Sequence, residues 1–284
     1  MNTYEKITNE IIEKIESEQI LPWQKPWKAV CARNLVTDKP YRGFNYLNLN
    51  FQNFQSPYWM TFLQCKELGG KIKSGEKSTV IIFWKTGSVE DRETEEMKRS
   101  ILLKTYSVFN LEQTEEIPEN KIPKFQFEHK NPIEEAESII RNFPNKPEIR
   151  FHTEDRAYYS PSQDLISIPA KESFKNQEDY FNTIYHEGVH STGHSSRLNR
   201  KGITERNRFG SEEYSKEELI AELGAAFLCA ESNILNKTIN NSAGYLQSWL
   251  KALKSDPHMI IHASQAAEKS AKYILNSKEE EKEE

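Results

Sequence analysis

The amino-acid sequence predicts an α+β chain of two domains. A small mixed N-terminal domain is followed by one with a short antiparallel or mixed sheet, a central helix and a helical C-terminal part. Three observations carry that prediction. A β-branched and aromatic run, Thr79 to Trp84, is followed by a second apolar run, Leu102 to Leu111, in a region otherwise made of short helical patterns. A strand-turn-strand stretch, Ala157 to Pro169, precedes two segments with apolar residues at helical spacing. Between the halves, residues 113–131 carry Pro118, Pro123 and many charges with little periodicity, the composition of a linker. The domains are expected at 1–115 and 132–277, with a linker at 116–131 and a disordered glutamate-lysine tail at 278–284.

Taken in order, residues 3–18 place Tyr4, Ile7, Ile11, Ile12 and Ile15 at helical spacing. Leu21 to Trp27 offers two tryptophans on a stiff, proline-bounded segment. A helix is expected near 45–54, and a second from Tyr58 to Leu68, started by Ser56-Pro57 and closed by Gly69-Gly70. Lys71 to Lys77 reads as a basic strand and turn, and Glu90 to Arg99 as a charged excursion between strands. In the second half a helix spans Pro132 to Asn142 and a strand Ile149 to Thr153. Pro161 and Pro169 bound the strand that holds Ile166 and Ile168, as at a sheet edge to which a peptide could add itself. One last helical region runs from about 243 to 277.

With 29% charged and 36% hydrophobic residues in 284, the composition is that of a soluble globular protein. No run approaches 18 apolar residues and no signal-peptide core is present, so no membrane is expected and a cytoplasmic monomer is. Cys31, Cys65 and Cys229 form no C-x-x-C pair and read as reduced thiols. The net charge of −5 hides an asymmetry. Between residues 20 and 85 ten bases face three acids, a surplus of seven, which leaves twelve negative charges for the rest. Twelve aromatics lie in the same stretch. Rings interleaved with cations suit a single-stranded nucleic-acid groove, although composition alone favours a small core under a basic surface.

The second half holds the sharper signal, His186-Glu187-Gly188-Val189-His190. On a helix the two histidines share a face one turn apart and can reach one zinc ion, while Glu187 can serve as general base to a water held there. About thirty residues on, Glu218 and Glu222 share a face of a second helical pattern, and a carboxylate from it would complete a His2Glu set. Zn2+ is the expected cofactor, with another divalent metal as the alternative.

Both halves then resemble the ArdC-like antirestriction proteins of plasmids and other mobile elements. The matching residues are Pro22-Trp23, Lys25-Pro26-Trp27, Arg33-Asn34, Lys39-Pro40-Tyr41-Arg42-Gly43, Ser56-Pro57-Tyr58-Trp59, Glu67-Leu68-Gly69-Gly70, Lys73-Ser74-Gly75-Glu76-Lys77, Tyr106-Ser107-Val108-Phe109-Asn110 and Gln113. In the second half they are Tyr159-Ser160-Pro161-Ser162, His186-Glu187 with His190 and Thr192-Gly193-His194, Ser196-Arg197-Leu198, and Glu217-Glu218-Leu219 with Ala221-Glu222. The resemblance implies an N-terminal domain that binds single-stranded DNA, a C-terminal zincin-like metallopeptidase domain with an unknown protein substrate, and protection of incoming DNA. The expected DNA contacts are Trp23, Lys25, Trp27, Arg33, Tyr41, Arg42, Trp59, Lys71, Lys73 and Lys77. His194 falls two residues short of the third histidine used by some zinc proteases, so Glu218 is the preferred third ligand and Glu222 the acceptor behind an imidazole, with the reverse open. His194 and Tyr214 are candidates for substrate or transition-state contact. The other readings are a DNA-binding protein with a non-catalytic scaffold, and an effector protease with incidental DNA affinity.

Overall fold

The computed structural model describes residues 3–18, 21–22, 32–52, 54–90, 97–123, 131–205, 211–234 and 243–277, with backbone alone for 84–90, 97–102 and 243–246. The chain divides into two compact units, Met1–Ile7 with Val30–Gln126, and Thr8–Ala29 with Phe127–Glu284.

In the first unit, strands β1 (Arg33–Asn34), β2 (Tyr58–Thr61), β4 (Thr79–Glu90) and β5 (Met97–Asn110) form one sheet in the order β1-β2-β5-β4. The pairing of β1 with β2 is parallel and the others are antiparallel. Ile81 faces Tyr106 and Phe83 faces Lys104 across the β4–β5 ladder, so these four side chains share one face. β4 lies at the sheet edge, and helix α2 (Gly43–Asn50) covers part of it with two asparagines. Asn45 exchanges hydrogen bonds with both backbone groups of Ile82 at 2.7 and 2.8 Å, and Asn48 donates to the Val80 carbonyl at 2.8 Å. Side-chain amides thus supply what a further strand would.

The helix expected over 58–68 is a strand followed by a shorter helix, α3 (Phe62–Glu67). Tyr58, Trp59 and Met60 are buried on both faces of the sheet between β1 and β5, and that burial overrides local helical preference. Thr61 then starts the helix with a reciprocal cap, its hydroxyl accepting from Gln64 N at 3.2 Å while Gln64 Oε1 accepts from Thr61 N at 2.9 Å. The proline-rich stretch read as a linker also begins with structure. β6 (Thr114–Glu115) pairs with β3 (Lys71–Ile72), and Lys121 donates to the Leu68 carbonyl at 3.1 Å.

The second unit takes most of helix α1 (Thr3–Glu18), since Thr8 Oγ1 donates to the Pro257 carbonyl at 2.6 Å and Glu16 pairs with Lys254 at 2.7 Å. Its sheet runs β7-β9-β8, from β7 (Glu148–His152), β8 (Tyr158–Ser160) and β9 (Leu165–Pro169). The strand between Pro161 and Pro169 is therefore the central one, buried at all five positions, and the edges belong to β7 and β8. Helix α4 (Pro132–Asn142) precedes the sheet; α5 (Gln177–Thr192), the one-turn α6 (Lys201–Thr204), α7 (Glu212–Glu231), α8 (Ala243–Ser255) and α9 (Met259–Ile274) follow. The last helical region is two helices, because the residue before Pro257 is disfavoured in helical conformation.

Helix α7 packs against both α5 and α9. A Cβ on Gly224 of α7 would lie 2.7 Å from Val189 Cγ2 of α5, so the approach of these two helices requires glycine. Gly193 ends α5 at φ −73°, a conformation open to any residue; its need is also space, since a Cβ would meet Ile203 Cγ1 at 2.5 Å. Among the described residues no helix is long and apolar enough to cross a membrane.

Candidate metal centre

Helix α5 starts at Asn176, whose side chain accepts from Asp179 N at 2.8 Å, and Glu178 and Asp179 complement its positive end. Almost every later position is buried, including Glu187 and His190, each 8% exposed. His186 is half-buried on the same face. The two Nε2 atoms are 3.1 Å apart, and the rings stand edge to face with centroids at 4.7 Å. Helix α7, capped by Ser211 accepting from Tyr214 N, carries Glu218 to them. Its Oε2 lies 3.6 Å from His186 Nε2 and its Oε1 3.6 Å from His190 Nε2.

This donor set fits a metal ion. His186, His190 and Glu218 each offer one atom, all within 4.8 Å of one another. Ligands about 2.1 Å from zinc at tetrahedral angles lie about 3.4 Å apart, close to the separations above. Burial raises the Glu218 pKa, but the two imidazoles beside it, His186 first and then His190, bring it well below the ordinary carboxylate value. Burial disfavours the His186 imidazolium, yet the nearby Glu218 carboxylate and the charges of Glu187 and Glu222 hold its pKa above normal.

Behind the ligands stands a residue to which sequence reasoning gave no role. Glu217 Oε1 is 3.4 Å from His190 Nδ1, and the carboxylate is only 5% exposed. A proton on Nδ1 leaves the Nε2 lone pair for a metal. Arg200 fixes Glu217 in turn, from Nε at 3.0 Å and Nη2 at 2.5 Å, and also donates to Thr192 Oγ1, the Val189 carbonyl and Ser270 Oγ. Burial pushes the Glu217 pKa up, but His190 and Arg200 bring it below normal, so the carboxylate is charged. The signal available in the sequence was the doubled Glu217-Glu218 with arginines shortly before it.

Tyr214 belongs beside this cluster. Its hydroxyl is hydrogen-bonded to Glu218, and burial together with that carboxylate pushes its pKa strongly upward. His194 lies apart, its Nδ1 2.8 Å from Ser196 Oγ and accepting from Ser196 N, within the turn that follows α5. The nearby Arg197, with 1% of its side chain exposed, donates to Asp164, to the Tyr159 hydroxyl at 3.2 Å and to the Ser191 carbonyl at 2.7 Å. It ties the end of α5 to the β8–β9 turn.

The expected DNA residues fare differently. Trp23, Lys25 and Trp27 lie outside the described residues. Trp59 is 2% exposed and packs with Leu49, Ile81 and Val108, so the expectation that its ring stacks on a base is corrected: the ring belongs to the core. Tyr41 is in the same cluster, at 8% exposure. Arg33 pairs with Asp38 at 2.9 Å, Lys71 with Glu116 at 2.8 Å, and Lys73 donates to the Glu112 carbonyl at 2.7 Å. Arg42 and Lys77 are exposed.

Comparison with known proteins matches residues 1–109 to the N-terminal domain of anti-restriction factor ArdC and residues 134–266 to a zincin-like metallopeptidase. The DNA primase TraC of Escherichia coli is 33% identical over 96% of the chain, which spans only 27% of that protein's length. The uncharacterized protein y4eC of Sinorhizobium fredii is 30% identical, with 95% of the chain and 91% of that protein covered. Among solved structures, the antirestriction ArdC protein from plasmid R388 aligns in its metal-free form with TM-score 0.77 and 34% identity, covering 97% of both chains. Its Mn(II)-bound form aligns with TM-score 0.75 and 33% identity, over 97% of this chain and 98% of that one.

Proposed function

The chain belongs to the family of ArdC-like antirestriction proteins, and on that premise we propose that it binds single-stranded DNA through residues 1–115 and carries a metal-dependent peptidase site within 132–277. The convergence of His186, His190 and Glu218 beside buried Glu187 is the observation that carries the reading. Those three residues would hold the ion, zinc being preferred for the two imidazoles; the Mn(II)-bound relative supports a divalent metal. When bound, a divalent ion supplies Lewis-acid activation of water and of a scissile carbonyl.

The chain's own residues do the rest. Glu187 takes the proton of the attacking water on its carboxylate and passes it to the leaving amine. Tyr214 donates from its hydroxyl to the oxyanion that develops on the carbonyl. Glu217 keeps His190 in one tautomer, and Glu222 does the same for His186. An extended peptide pairs with the free edge of β8, which packs against α5.

The test incubates the chelated, zinc-loaded and manganese-loaded protein, and its Glu187→Gln form, with a fluorogenic peptide library and with candidate host proteins. Cleavage that needs both metal and Glu187 is expected. Metal retained without turnover in either form would instead support a non-catalytic scaffold.

A further inference from the structure

The face shared by Ile81, Phe83, Lys104 and Tyr106 is the wall of an open cavity of about 450 Å3 in the first unit. That is within the usual size of small-molecule sites and ample for a nucleobase with its sugar. Phe83 and Tyr106 are 48% and 46% exposed and meet edge to face at 5.5 Å, an L-shaped aromatic corner left open to solvent. The opposite side is polar. Asn34 Nδ2 donates to the Tyr41 hydroxyl oxygen at 3.3 Å and to Gln64 Oε1 at 3.2 Å. Tyr41 therefore accepts from the protein, while among the described residues no acceptor takes its own proton. Lys104, beside the aromatic corner, pairs with no carboxylate among the described residues, unlike Lys71.

We propose that this cavity receives a single extruded base of a DNA single strand, stacked on Phe83 and Tyr106, with its polar edge accepting from the Tyr41 hydroxyl and its phosphate at Lys104. The proposal rests on the single-strand reading of the first unit and gives it one defined subsite. Its chemistry matches each ligand part in turn: a flat ring meets an aromatic face, a ring nitrogen or carbonyl meets an O–H donor and a phosphate meets an ammonium, neither of which is paired with an acceptor or carboxylate among the described residues. The buried tryptophan of the neighbouring core cannot do this; the two exposed rings can.

The experiment measures binding of the full-length protein to three labelled 12-nucleotide probes by fluorescence anisotropy. One is oligothymidine, one is abasic throughout, and one is abasic except for a single central thymine. The single base is expected to tighten binding about tenfold over the abasic strand, which is one stacked base's worth. That gain disappears in Phe83→Ala, which removes a half-exposed ring, and is reduced in Tyr41→Phe. Lys104→Ala weakens all three probes alike. A Phe83→Ala protein that keeps the full gain overturns the pocket while leaving the groove reading intact. Absence of binding to oligothymidine overturns both. Competition by free thymidine monophosphate as effective as by the one-base strand overturns it in favour of a nucleotide site unrelated to DNA strands.

Discussion

In the second unit the chemistry-bearing side chains converge from two long helices onto one point, whereas in the first unit several of the described aromatic and basic residues are committed to the fold itself. His186, His190 and Glu218 face one another; His190 is backed by Glu217, which Arg200 holds in turn, and Tyr214 stands beside Glu218. Trp59 and Tyr41, by contrast, fill a core, and Arg33 and Lys71 answer nearby acids. Coordination and proton transfer demand fixed donor spacing, and rigid helices deliver it. Contact with a flexible polyanion tolerates a diffuse surface, so composition overstates how many residues take part.

The steepest test of the contrast is Glu187→Gln. Removing a general base is expected to reduce peptide turnover by about 10²–10⁴-fold, with metal content by elemental analysis unchanged. Next comes ligand identity. Glu218→Ala is expected to lose the metal and Glu222→Ala to keep it; the opposite pair of results would exchange their roles. Glu217→Gln should weaken metal affinity by about 10–100-fold, since it supports a ligand without being one.

A third test concerns the frame around the site. Asp164→Asn strips the buried Arg197 of its carboxylate and should lower stability of the second unit by about 2 kcal/mol near neutral pH. The hydrogen bond from Arg197 holds the Asp164 pKa below its normal value, against the opposing effect of burial. A depressed carboxylate stabilises above its unfolded pKa, so the difference between parent and variant should shrink as the pH falls below about 4. Thermal denaturation at a series of pH values reads this directly.

The smallest effect belongs to the first unit. Three free lysines would flatten the salt dependence of single-strand binding by about 2 in log–log slope. Lys71 and Lys73 have partners within the protein, so replacing Lys71, Lys73 and Lys77 together should change it by only about 0.7. A change near 2 would show that these lysines leave their partners for phosphate.

The legibility of the sequence follows the same division. Helical spacing alone placed His186 and His190 on one face, and the next helical pattern offered both Glu218 and Glu222, of which Glu218 lies beside the pair. The role of Glu217 was hidden because it depends on Arg200 folding back from a separate turn. Tyr58–Thr61 read as helix because its burial comes from β1 and β5, neither of them local. The central position of β9 was equally invisible, since strand order is a long-range property. Phe83 was one of the twelve aromatics of the basic stretch and Tyr106 part of a matched motif, but neither was an expected DNA contact; only the register that sets them on one open face distinguishes them from the core.

The glycine at 224 gauges more than packing. Its hydrogen faces Val189, which lies in α5 between the two histidines, and Glu218 sits on the same helix as the glycine. The separation of the two helices is therefore also the bite of the candidate chelate. One methyl group at position 224 would wedge the jaws apart and favour a larger cation over a smaller one, without touching any ligand. Selectivity among divalent ions would then be written partly in a residue that has no side chain.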